Sequence, residues 1–96
     1  MDRNLSDANK LVKKAEQEFK GNFFGNLFSS LESRGEKAIE CYQEAANMYK
    51  LNKMFMESGK CYEAIADIQS QIGASSADAY EEAAHSYSFV DPQSKI

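Results

Sequence analysis

Three short stretches of this sequence repeat one pattern: CYQEAANMY from Cys41, CYEAIADIQ from Cys61 and AYEEAAHSY from Ala79. Each sets a tyrosine ahead of a small or aliphatic pair three and four residues on, the spacing that places side chains on one helix face. The step from Tyr42 to Tyr62 and the similar step from Tyr62 to Tyr80 mark successive helices of one repeating pair. The pair recurs after about 38 residues, in the range of tetratricopeptide-like repeats, whose units bury their apolar faces only by stacking on neighbours. The pattern predicts an all-α fold of antiparallel helical hairpins in a tetratricopeptide-like solenoid.

The apolar spacing and the turn residues locate about four helices. Leu5, Ala8, Leu11, Val12, Ala15 and Phe19 form the stripe of a first helix over roughly 6–20. Ser33 with Glu36 three residues later reads as a capping box, weakened by Gly35, for a second helix running to about Lys50. Its stripe is Ala38, Ile39, Tyr42, Ala45, Ala46 and Tyr49, where the alanines let a neighbouring helix approach under the rings. Asn52 is the expected N-cap of a third helix using Phe55, Gly59, Tyr62, Ile65, Ala66 and Ile72 and stopping at Gly73. Ser75 with Asp78 starts a fourth, with stripe Tyr80, Ala83, Ala84 and Tyr87. Asp91 and Pro92 are the N-cap and first residue of a fifth helix that the sequence begins and does not finish. The expectation is a single domain over residues 1–96, the opening of a longer solenoid whose fourth helix is exposed and able to form a homodimer.

With 96 residues there is room for one core, and 43% hydrophobic against 27% charged residues reads as globular. The net charge of -4 argues against nucleic acid, because binding phosphate needs a dense basic patch. What basic character exists lies in residues 1–60, where ten Lys/Arg meet nine Asp/Glu; residues 61–96 hold one against six. No window has the roughly 18 apolar residues of a spanning helix, and the start MDRNLSDANK is too polar for a signal peptide, so a cytoplasmic chain is expected. Cys41 and Cys61 each fall inside a helical pattern without a C-x-x-C spacing and read as free buried thiols. His85, alone and off the apolar stripe, reads as solvent-facing. No nucleophile with a base, no metal-ligand spacing and no glycine-rich phosphate loop occurs, so neither catalysis nor a cofactor or metal is expected.

One stretch stands outside this scheme. GNFFGNLFSS, residues 21–30, sets Phe23, Phe24, Leu27 and Phe28 between glycines and serines. Gly21 and Gly25 each cost about 1 kcal/mol in a helix relative to alanine, which favours a loop over an interfacial helix. Its apolar side chains either tuck beneath the first helix pair or face something outside the fold.

FFGNLFSS between the first two helices, AANMYKLNK closing the second and DPQ after the fourth together resemble the N-terminal part of the alpha-type soluble NSF attachment proteins. The resemblance spans essentially the whole chain and about the first third of a full-length member. It implies a right-handed twisted array of antiparallel helices lying along a syntaxin-type SNARE bundle, on the cytoplasmic side and peripheral to membranes. On the matching positions Phe23, Phe24, Leu27 and Phe28 would contact membrane lipid, Lys53 would meet acidic SNARE surfaces, and Lys50 beside it is a weaker candidate. It also implies recruitment of the NSF ATPase through regions outside these residues. Ser88 and Phe89 depart from the lysines that the family tends to place just before DPQ. The rival reading is a free-standing tetratricopeptide-like scaffold that binds a peptide in its groove, with the phenylalanine loop folded inward.

Overall fold

A computed structural model describes residues 2–20 and 30–90. They form four helices: α1 (Asp2–Lys20), α2 (Leu31–Leu51), α3 (Phe55–Gln71) and α4 (Ala77–Tyr87). Each packs antiparallel on the next. The Tyr49 hydroxyl, late in α2, donates to Asn9 Oδ1, early in α1, while Arg34 Nη1, early in α2, donates to Phe19 O at the end of α1, 3.0 Å away. Gly35 of α2 lies against Ile68 of α3 and against Ile72, and Gly59 of α3 lies against Tyr87 of α4. The expected all-α array of helical hairpins is present.

Small residues set the spacing between helices. Ala8, Ala15, Ala38, Ala45, Ala46 and Ala66 are fully buried, and Tyr42, Tyr49, Tyr62 and Ile65 fill the volume between them. The repeat explains how. Tyr42 of α2 lines a groove between Val12 and Glu16 of α1 and Cys61 and Ala64 of α3, so its ring is covered from both sides. Tyr62 is buried in turn, at 3% exposure, but Tyr80 is 49% exposed. Ala84 is exposed as well, and the buried residues of α4 are Ala79, Ala83 and Ser86. The expected stripe through Tyr80 and Ala84 is therefore rotated toward Ala79, Ala83 and Ser86, with Tyr87 half-buried. Among the described residues no further helix covers the face where Tyr80 stands. The fifth-helix start at Asp91 and Pro92 lies outside the described residues.

Helix ends differ from those expected, each for a local reason. α1 begins at Asp2, since a helix can extend a turn beyond its first apolar residue and periodicity marks only the buried part. α2 is capped by Ser30, whose hydroxyl accepts the Ser33 N–H at 3.0 Å, so Ser33 sits in the first turn. Gly35 is a contact point inside that helix: a Cβ there would stand 2.9 Å from Ile72 Cγ2. Asn52 caps the C-terminus of α2, its side-chain amide donating to Met48 O at 2.9 Å, and α3 starts after Met54. Ser76, not Ser75, precedes α4, while Gly73 does end α3 in the left-handed conformation.

Candidate functional site

The two turns between consecutive helices at α2/α3 and α3/α4 close in the same way. After α2, Lys53 N–H donates to Lys50 O at 2.9 Å and Met54 N–H to Tyr49 O at 2.8 Å; after α3, Gly73 N–H donates to Ser70 O at 3.4 Å and Ala74 N–H to Gln69 O at 2.8 Å. This bonding ends a helix on a residue in the left-handed conformation. Gly73 has φ +81°, and Lys53, at the equivalent position one helix earlier, has φ 59°. For a residue with a Cβ that conformation costs about 1–2 kcal/mol. A lysine thus occupies a place where glycine would be unstrained, and such strain concentrates at functional positions.

Lys50 and Lys53 share this turn with different surroundings. Lys50 is half-buried with its ammonium 5.3 Å from the centre of the Tyr62 ring, a cation–π contact, whereas Lys53 is exposed. Beside Lys53 a cleft of roughly 430 Å³ opens between the first turn of α3 and the residues after α4. Met54, Phe55, Met56, Phe89 and Val90 line it, with Glu57. Phe89 tilts onto Phe55 at 4.9 Å between ring centres and takes the edge of His85 at 5.0 Å. His85 is exposed, as expected. Sequence reasoning missed the cleft because its two aromatic walls come from separate helix ends, Phe55 opening α3 and Phe89 following α4, where periodicity carries no signal.

The other end of the array holds the stems of residues 21–29. Arg34 donates to Phe19 O at 3.0 Å and to Lys20 O at 3.4 Å, satisfying terminal carbonyls of α1 and tying them to the first turn of α2. Lys20 and Ser30 are thereby held at one end, and Lys50 and Lys53 at the opposite end of the 21-residue α2, about 30 Å away at roughly 1.5 Å per residue. Phe23, Phe24, Leu27 and Phe28 lie outside the described residues.

Cys41 and Cys61 are free buried thiols; burial, reinforced by Glu57, pushes Cys61 up to about 12, and burial also raises Cys41. Burial, with the nearby Glu16, lifts Tyr42 to about 12. Among the described residues no three His, Cys, Asp or Glu side chains group to hold a metal. Besides the cleft beside Lys53, a groove of roughly 300 Å³ that Tyr42 lines runs between α1 and α3.

The model of "Soluble NSF attachment protein, SNAP" matches residues 6–96, a span that takes in all four helices and the turns between them. The chain belongs to this family. This SNAP-family chain is 34% identical over 94 residues to the beta-soluble NSF attachment protein of Bos taurus, and 32% identical over 94 residues to the alpha-soluble NSF attachment protein of Homo sapiens. Each match covers 96% of the SNAP-family chain, which spans 30% of the length of these relatives. The vesicular-fusion protein SEC17 of Coprinopsis cinerea is 46% identical over 50 residues, 52% of this chain and 17% of its own length. No solved structure matches the SNAP-family chain. Among its described residues no helix is long and apolar enough to cross a membrane.

Proposed function

We propose that this SNAP-family chain is a non-enzymatic adaptor in SNARE complex disassembly and vesicle trafficking, working on the cytoplasmic side and peripheral to membranes. Residues 1–96 act as a single N-terminal helical-repeat domain of a longer solenoid, and regions beyond them recruit the NSF ATPase. Phe23, Phe24, Leu27 and Phe28 enter the bilayer at one end. Lys53, assisted by Lys50, docks on acidic surface of a syntaxin-type SNARE bundle at the other. The observation that carries this reading is the left-handed Lys53: the fold keeps an exposed lysine on a strained backbone where its repeat-equivalent is Gly73.

The magnitudes suit a reversible adaptor. Fully burying a Phe or Leu contributes roughly 1.5–3 kcal/mol, so partial insertion of four such residues gives several kcal/mol, comparable with the marginal anchoring by one myristoyl chain. An exposed ion pair adds only about 0.2–1 kcal/mol, so this one turn binds a SNARE bundle weakly. Attachment to the same membrane compensates by raising the effective concentration of the second contact.

Liposome flotation tests the membrane arm. Wild-type chain is expected to rise with the vesicles and the Phe23→Ser, Phe24→Ser double variant to stay behind; equal recovery sinks this arm. The groove lined by Tyr42 and Val12 favours a second reading, a tetratricopeptide-like peptide scaffold, for which Val12→Glu would abolish peptide capture and leave flotation unchanged. The exposed Tyr80 favours self-association through α4, which Tyr80→Ser would remove in a sedimentation measurement.

A further inference from the structure

We propose that the cleft beside Lys53 is a pocket for one large apolar side chain carried on an acidic helix of the SNARE partner, so that recognition at this turn is apolar as well as electrostatic. The inference rests on the docking of Lys53 proposed above and specifies what lies next to it.

Among the described residues nothing covers the cleft, and its wall is built. Phe89 is 54% exposed and Met56 42%, yet Phe89 is held from behind. Its N–H donates to Ser86 O at 3.1 Å, the following Val90 N–H to Tyr87 O at 3.0 Å, and the Ser88 hydroxyl donates to His85 O at 2.6 Å. With its ring against Phe55 and His85, Phe89 is an exposed aromatic in a fixed place, of the kind that anchors interfaces at low entropic cost. Met54 and Met56 opposite it adapt to the shape of an entering side chain. A volume near 430 Å³ admits a side chain of Leu, Met or Phe size together with the backbone that presents it.

Charge selects the occupant. The lining holds one cation, the exposed Lys53 at the lip, and one carboxylate, Glu57, while Lys50 lies outside it with its ammonium over the Tyr62 ring. A partner with acidic residues flanking its apolar one is attracted, and Glu57 disfavours a carboxylate entering the cleft itself. A second copy meeting this end symmetrically would set Lys53 against Lys53. A bilayer inserting here would have to reach the end of the array opposite the stems of residues 21–29.

Titrating the full chain with a soluble, assembled syntaxin-type SNARE bundle separates the parts. Phe89→Ala should weaken binding about tenfold, a loss that Phe89→Met restores, and the loss should persist at about 1 M salt, where the screening length is about 3 Å. Lys53→Ala should weaken binding only about two- to fivefold and only at low salt. If Phe89→Ala binds like wild type while Lys53→Ala does not, the pocket is refuted and the docking by Lys53 stands. If the wild-type chain fails to bind the bundle, both fall. If Phe89→Ala alters only self-association by sedimentation, the occupant is a second copy and the proposal is overturned. Circular dichroism of Phe89→Ala and Phe89→Met matching wild type excludes loss of fold as the cause.

Discussion

Lys53 carries the sharpest consequence at the scale of the residue. Its φ of 59° is one that glycine adopts without strain, as Gly73 does in the matching turn. Lys53→Gly should therefore raise stability by up to about 1 kcal/mol, once the added freedom of the unfolded glycine is set against the relieved strain, and so raise the urea midpoint of unfolding. The same variant should bind a SNARE bundle less well. Stability rising as binding falls marks a position kept for function; both falling together would make the lysine structural. Half of this is legible in the sequence: the spacing that relates Tyr42 to Tyr62 also relates Lys53 to Gly73, and the glycine announces the turn. The role of the ammonium comes from resemblance, since nothing in composition distinguishes Lys53 from its ten fellow cations.

Buried thiol and phenol groups set a pH limit at the same scale. Cys61 has its pKa raised from 9.0 to about 12, chiefly by burial, and Tyr42 from 10.0 to about 12 for the same reason. Because the unfolded chain loses these protons first, their contribution to stability is complete below the unfolded pKa and is lost as pH rises toward the folded value. Denaturation midpoints should be level up to about pH 9 and fall beyond it, with Cys61→Ala flattening the onset of the fall. A midpoint that stays level to about pH 11 would mean that these groups are open to water.

Close approach at two glycines determines how the elements meet. A Cβ on Gly59 would lie 2.5 Å from the Tyr87 ring, and one on Gly35 2.9 Å from Ile72 Cγ2. Gly59→Ala should lose about 1–3 kcal/mol to overpacking despite alanine's higher helix propensity, visible as a lower thermal midpoint. The displaced ring would also release the Tyr87 hydroxyl from Glu63 Oε1, now 2.9 Å away. A midpoint equal to wild type would mean that Tyr87 swings aside freely. At this scale the sequence is legible where burial is periodic. The stripes of α2 and α3 can be read from Ala38 to Ile65, and Gly35 misleads only because a contact glycine and a helix-breaking glycine look alike before the partner helix is known. Helix ends are harder. Ser30 and Ser33 are equally good caps on paper, as are Asn52 at the end of one helix and at the start of the next, and only the bonded partner decides between them. The rotated face of α4 has the same origin: Tyr80 matches its repeat but lacks, among the described residues, the following helix that buries Tyr42.

For the molecule as a whole, the separation of the two ends matters most. Arg34 clasps the stems of residues 21–29 at one end of α2, and Lys53 projects at the other. In the proposed function, the helix pair between them would hold a bilayer and a protein bundle at once. Co-flotation of a soluble SNARE bundle with liposomes in the presence of the chain measures this directly. Wild-type chain is predicted to carry the bundle up with the vesicles. Phe23→Ser with Phe24→Ser should leave chain and bundle together at the bottom, and Lys53→Glu should let the chain float while carrying up less of the bundle at low salt. Flotation of the bundle that is indifferent to both sets of substitutions, or a wild-type chain that floats without it, would contradict the account.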